Sequence, residues 1–417
     1  MQSFMTGAPG HHIQSVKKST STRLVYVIFF LIVSVVAYVL SYWSFSWFNS
    51  LDVLKICSKS DSGCQGALVV YRLTFGLALY HILLGLIMIN VKSAGDGRAK
   101  LQDGYWPLKI LLLGILIFVS FFITNPFFRI YSWISIFCAA IFIFIQLLLL
   151  VDFAYSLNES CVRKIEDEGS DGKKWFVLLC VLSFGCIAIS VAGTVVMLVF
   201  FGKGNCSINQ FYIVFNLGIC LIVGVLSISG KVREYRPSSG LLQSGVVMLY
   251  CTYLIYSAIN SEPPGTCSSI SVSPPRESTI IIGAVFTIIS VCYSAFRSSD
   301  STGLLGNHNH YSSIPSDPNS ETTGVSDDEC ECTAYNYTFF HFTFACGAMY
   351  LSALLTNWAT MSNTDISSST SSTSYSTVVV DSGMVSVWVK VVSSWVIVLL
   401  YLWTLVAPIF IRNRVWD

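Results

Sequence analysis

"FRIYSWISIFCAAIFIFIQLLLLVDFAYSL", residues 128–157, is a 30-residue apolar run holding one cation (Arg129), one amide (Gln146) and one carboxylate (Asp152). As an α-helix it extends about 45 Å at 1.5 Å per residue. A bilayer's hydrocarbon core is only ~30 Å thick. A helix of this length must tilt or protrude. Asn158 and Glu159 follow directly, so the run ends in polar residues.

The rest of the chain has the same character. Its 417 residues are 53% hydrophobic and 11% charged, against roughly 25% charged in an average soluble domain. No soluble core buries apolar runs of this length, so the bilayer acts as solvent. A net charge of +1 gives no bulk attraction to nucleic acid. Ten segments read as spans: 24–47, 67–91, 106–124, 128–157, 175–202, 210–230, 240–260, 279–296, 335–358 and 384–411. They are continuous and rich in Leu, Ile and Phe, unlike the alternating strands of a membrane barrel.

Orientation follows from the cations. With the N-terminus in the cytosol, Lys55, Lys59, Arg72, Arg129, Lys203, Arg276 and Lys390 fall outside or near outer helix ends. The other 17 of the 24 Lys and Arg residues fall inside. Ten spans with both termini cytosolic fit this bias. The chain then divides into an inner tail (1–23), eight spans (24–297) and an acidic, Ser-rich inner loop (298–334). Two more spans (335–411) flank a Ser/Thr-rich outer loop (359–383), and an inner C-terminus (412–417) follows. The tract 361–377 is expected to be disordered, and 298–333 to be a flexible tether or an adaptor-binding segment.

Cys57, Cys64, Cys206 and Cys267 fall in outer loops, where disulfides persist. Their connectivity is not fixed by the sequence. Cys330 and Cys332 have C-x-C spacing without a second Cys or His pair, so no metal site is expected. Asn205 is the one N-x-S/T site facing outward; Asn158 and Asn336 face inward.

Polar side chains inside spans are costly and are functional candidates by default. They are Gln146 and Asp152 on the fourth span, with Asn158 and Glu159 just beyond it, Arg72 and His81 on the second, Arg129, His341 and Lys390. Each has a structural reading as well. Arg72, Arg129 and Lys390 can snorkel to the outer interface, where they would attract lipid phosphate. The histidines and Gln146 can bond between helices. Asp152, near a helix C-terminus, is disfavoured by the dipole and needs a cationic or hydrogen-bonding partner. There is no phosphate-binding glycine loop, nucleophile elbow or HExxH motif. Neither enzymatic activity nor a cofactor is expected.

Several blocks carry a resemblance. "VVYRLTFGLALYHILLGLIMINVKSAGDGRAKLQDGYWPLK" (69–109) resembles the second span and following loop of the serine incorporator (Serinc, or TDE/TMS membrane protein) family. The family pattern Q-L-x-x-L-x-D-F-x-x-x-x-N-E is matched by Gln146, Leu147, Leu150, Asp152, Phe153, Asn158 and Glu159. "PSSGLLQSGVVMLYCTYLIYSAINSEP" (237–263), "YNYTFFHFTFACGAMYLSALLTNW" (335–358) and "VWVKVVSSWVIVLLYLWTLVAP" (387–408) resemble the seventh, ninth and tenth spans.

The resemblance implies an all-α polytopic fold of ten helices, in two subdomains around a long tilted fourth helix, with lipid-lined grooves at their boundary. It implies a lipid-handling role, associated with serine incorporation into phosphatidylserine and sphingolipids and with ATP-independent phospholipid scrambling. A scaffold acting through partner synthases or trafficking adaptors is the alternative. Membrane lipids are the expected partners, in the plasma membrane or endomembranes, with lipid-synthesis enzymes and self-association left open. One departure is the N-terminus, which lacks the cysteines of many animal members. Animal-type N-terminal acylation is therefore not expected; the 361–377 Ser/Thr tract also looks lineage-specific, so antiviral activity is not carried over.

Overall fold

The computed structural model describes residues 16–42, 62–93, 95–168, 172–202, 206–235, 240–262, 276–297, 325–326, 333, 335–366, 375–382 and 384–410. The helices among them are α1 (Lys18–Tyr42), α2 (Ser62–Ile87), α3 (Gly97–Asp103), α4 (Trp106–Ser120), α5 (Asn125–Glu168), α6 (Lys173–Phe201), α7 (Ser207–Ser227), α8 (Gly230–Tyr235), α9 (Leu241–Ile259), α10 (Arg276–Arg297), α11 (Tyr337–Leu355) and α12 (Met384–Phe410). Every apolar segment of the sequence contains a helix. Eight helices are long and apolar enough to cross a membrane, or nine if α3 and α4 form one span bent by 75°. Within α10, Ser278–Tyr293 is a shorter apolar helix. The chain is an integral membrane protein.

The short helix α3 was not expected from hydropathy, because its residues are polar. Asp96 caps it, its carboxylate accepting from the Arg98 backbone N–H at 2.9 Å. The Arg98 side chain also bonds this carboxyl and holds it below the usual carboxylate range. At the bend, Tyr105 adopts a left-handed φ of 58°, and a proline in the first turn of α4 starts the second limb.

The fourth span is longer than the apolar run. Helix α5 has 44 residues, about 66 Å at 1.5 Å per residue. It continues from Leu157 through "NESCVRKIEDE" to Glu168. That segment has no Gly or Pro and places Glu159 four residues before Arg163, which supports a solvated helix.

Helices α1, α2, α4 and α11 pack together, and so do α6, α7, α9 and α12. Helix α5 touches members of both groups, and α10 touches α1, α5, α9 and α11. In α9 and α11, 83% of the apolar window is buried, against 11% in α6. The inner helices carry more hydroxyl and amide groups, which find partners between helices, while α6 turns apolar side chains to lipid. The first group is tightly apposed at Gly76 of α2, where a Cβ would lie 2.9 Å from Ile117 Cα.

Two strands, β1 (Val16–Lys17) and β2 (Val325–Ser326), pair in parallel. The rest of 298–334 lies outside the described residues, apart from Thr333. Between α11 and α12, β3 (Ala359–Ile366) and β4 (Tyr375–Ser382) form an antiparallel ladder from Ala359↔Ser382 to Ile366↔Tyr375. This corrects the expectation of disorder for the parts of 361–377 that are described. Serine-rich composition suggested disorder, but Thr360, Thr364 and Val378–Val380 are β-branched and suit a strand. Asn357 and Trp358, with φ of 53° and 60°, turn the chain from α11 into β3. The hairpin rests on the bundle, β3 on α5 and β4 on α2.

Candidate functional site

A polar seam runs along α10 where it meets α5 and α9. At one end Tyr256 Oη is 2.7 Å from Ser278 Oγ. Beside it Asn260 Nδ2 donates to Thr279 Oγ1 at 3.2 Å, and Tyr253 Oη donates to the Thr279 carbonyl. In the middle lies Gln146, fully buried. Its Oε1 accepts from Tyr250 Oη at 2.9 Å, its Nε2 donates to Thr287 Oγ1 at 3.5 Å, and its carbonyl accepts from Ser290 Oγ. At the other end Tyr293 Oη donates to Asp152 Oδ2 at 3.1 Å. From Ser278 to Tyr293 the helix rises about 22 Å, most of a hydrocarbon core.

The sequence pattern builds this seam. Tyr250, Tyr253 and Tyr256 recur every three residues and line one face of α9. On α10, Thr279, Thr287 and Ser290 are buried while Ile281, Ile282, Val285, Ile288 and Ile289 are exposed. Helix α10 therefore turns its polar face inward and its apolar face to lipid. Since α5 runs on to Glu168, Asp152 does not stand at its helix end as expected, and a tyrosine hydroxyl is among its partners. Asn158 is half-buried and Glu159 exposed, just beyond the seam.

Arg72 and Lys390 depart from the snorkelling expectation, since both are fully buried. Arg72 donates to the Leu68 carbonyl at 3.0 Å and to Asn125 Oδ1 at 2.6 Å, with its guanidinium 4.5 Å from the centre of the Phe128 ring. Lys390 donates to the Ser257 carbonyl at 2.9 Å and to Ser261 Oγ at 2.5 Å, and lies over Trp358. Neither presents charge to a lipid phosphate. Arg129 is exposed and remains available at the interface.

His81 and His341 meet in the first helical group, their Nδ1 atoms 3.0 Å apart. His341 Nε2 is 2.9 Å from Gln102 Oε1, and Gln102 Nε2 donates to Tyr335 Oη. Since Oε1 accepts, His341 Nε2 carries its proton and His341 Nδ1 accepts from His81. Lys109 Nζ donates to the Gln102 carbonyl at 2.6 Å and lies 4.0 Å from the centre of the Trp106 ring. The hub ties α2 and α11 to the α3–α4 bend. Gln102 falls between the second and third spans as read from the sequence and Lys109 inside the third, and neither was a site candidate, because the bend was invisible in hydropathy.

Among the described residues no group of three or more His, Cys, Asp or Glu is arranged to hold a metal ion. A family model described as serine incorporator (Serinc) matches residues 4–414. The chain belongs to the serine incorporator family. A "Probable serine incorporator" of Dictyostelium discoideum is 86% identical to this Serinc over 100% of both chains. Another, of Nematostella vectensis, is 36% identical, covering 95% of this chain and 91% of its own. "Membrane protein TMS1" of Saccharomyces cerevisiae is 33% identical, covering 95% and 90%.

The remaining candidates of this Serinc are placed as follows. Cys206 is buried at the N-cap of α7. Cys57, Cys267 and the side chain of Cys64 lie outside the described residues, as do Cys330, Cys332 and Asn205. Cys161 is a buried free thiol. Asn336 caps α11, its Oδ1 accepting from the Phe339 backbone N–H at 2.9 Å.

Proposed function

We propose that this Serinc protein passes phospholipid headgroups between leaflets without ATP, along the seam between α5, α9 and α10. The observation that supports this is the run of hydroxyl, amide and carboxylate groups across most of the hydrocarbon depth. A charged group at mid-membrane costs several kcal/mol. Seam groups that exchange their mutual hydrogen bonds for bonds to a headgroup lower that cost. The apolar outer face of α10 keeps acyl chains in lipid meanwhile. In this reading the protein has ten spans, both termini in the cytosol and no catalytic chemistry of its own. Its partners are membrane phospholipids and sphingolipids, and serine incorporation into them is a downstream consequence.

Purified protein in liposomes tests the reading with fluorescent phosphatidylserine. Equilibration between leaflets faster than in empty vesicles is expected. The double substitution Gln146→Leu, Thr287→Val is expected to slow it about tenfold while the chain stays folded, because both partners of the Gln146–Thr287 bond become apolar together and the Tyr250 hydroxyl keeps the Ile143 carbonyl at 3.5 Å. Equal rates in wild type and variant would remove the seam from the mechanism. No equilibration by wild type would favour a scaffold for synthases or adaptors, and serine flux in the same vesicles would favour a carrier.

In the ten-span reading the stretches around Cys206 and Cys267 share the outer side, and on that ground we propose that these two cysteines pair. Peptide mapping without reductant is expected to recover the two linked. Recovery of both as free thiols would remove the assignment.

A further inference from the structure

At the end of the second helical group where α9 finishes, α7 and α12 share an aromatic face that the seam does not use. The Tyr212 and Trp388 rings are 5.7 Å apart, and Phe215 and Trp395 5.3 Å. Trp388 is 44% and Phe215 41% exposed, so the face opens toward lipid. Tyr212 is 1% exposed. One helical turn before it, Asn209 Nδ2 donates to Glu262 Oε2 at 3.1 Å. Burial raises the Glu262 carboxyl from its ordinary range, and the Asn209 bond lowers it.

Three buried polar atoms of this cluster have no hydrogen-bond partner among the described residues: Asn209 Oδ1, Tyr212 Oη and Trp395 Nε1. An aromatic belt at a membrane interface explains exposed rings such as Trp388. It does not explain unpartnered buried donors and acceptors, which are rare in folded proteins. We propose that Tyr212, Phe215, Trp388 and Trp395, with Asn209 and Glu262, bind the phosphocholine headgroup of a membrane lipid.

The chemistry selects this class. Aromatic faces attract a quaternary ammonium through the ring quadrupole. Such an ammonium has no N–H and needs a counter-charge and ring faces, which Glu262 and the two tryptophans supply. A primary ammonium would place its three N–H donors on Glu262, Asn209 Oδ1 and the Tyr212 hydroxyl, which also accepts; it is the exposed ring faces that favour the quaternary ammonium. The Tyr212 hydroxyl and Trp395 indole N–H are donors suited to the phosphodiester oxygens. Lys390, on the same helix as both tryptophans, is committed to Ser257 and Ser261. The site stands independently of lipid transport along the seam.

Full-length protein in a maltoside detergent, titrated calorimetrically with monomeric dihexanoyl-phosphatidylcholine, provides the test. Saturable binding is expected, with Trp388→Ala and Glu262→Gln each weakening it about tenfold, and dihexanoyl-phosphatidylethanolamine about tenfold weaker than the choline lipid. Trp388→Phe, which keeps a ring, is expected to retain most of the affinity. Unsaturable binding, equal affinity for both lipids, or undiminished choline-lipid binding by Glu262→Gln would overturn the proposal. If Trp388→Ala fails to fold, Glu262→Gln and the headgroup comparison decide it.

Discussion

Replacing Arg72 with alanine is expected to destabilise the folded protein by about 2–5 kcal/mol, from the cavity it leaves and the buried acceptors it strands. Its guanidinium is fully buried. It bonds its own helix at Leu68, the turn before α5 at Ile123, and Asn125 at the start of α5. It also covers Phe128. Alanine removes all of these bonds and leaves a cavity. Lysine keeps the charge but not the planar fork that reaches two carbonyls and an amide at once. Arg72→Lys is therefore expected to lose more than half of the same stability. Thermal unfolding of the detergent-solubilised variants measures both. An arginine that serves lipid phosphate would behave differently: Arg72→Ala would unfold with wild-type stability and lose bound anionic lipid instead.

The same residue shows how far the sequence can be read. That Arg72 lies in a span is evident from the apolar residues around it. Its depth is not, because an arginine near a helix end can snorkel or be enclosed, and hydropathy is identical for both. The decisive partner, Asn125, is 53 residues away. The seam was half legible. Gln146 and Asp152 stand out as polar interruptions, and the family pattern points to them. Tyr250, Thr287 and Tyr293, which complete it, are ordinary residues of membrane helices, and the three-residue spacing of Tyr250, Tyr253 and Tyr256 on α9 shows a face but not what it meets. Helix ends were legible only where polarity and helix propensity agree. They diverge after Leu157, so α5 runs on to Glu168. They diverge again at α3, a polar helix folded against the bundle by a bend at Tyr105. The hairpin between α11 and α12 was hidden by serine content, although its threonines and valines favour strands.

Lys390 is a second buried cation held by neutral groups, in the other helical group. Alanine at this position is expected to cost about 2–4 kcal/mol, from the cavity and the lost charge-assisted bonds. The bonds to Ser257 and Ser261 tie α12 to the end of α9, and the ammonium also rests on Trp358. Among the described residues no carboxylate pairs with it, so its desolvation is offset only by a carbonyl, a hydroxyl and a ring face. Methionine preserves the stem and removes the charge. Ser261 Oγ keeps its own bond to the Ser257 carbonyl at 3.0 Å, so the lost ammonium does not strand the hydroxyl. Lys390→Met is therefore expected to stay within about 1.5 kcal/mol of wild type, as volume-conserving swaps do. Unfolding of the two variants side by side separates packing from charge. A methionine variant as unstable as the alanine variant would mean that the ammonium itself, through its two bonds and the Trp358 face, joins α12 to α9 and to the turn that launches the hairpin.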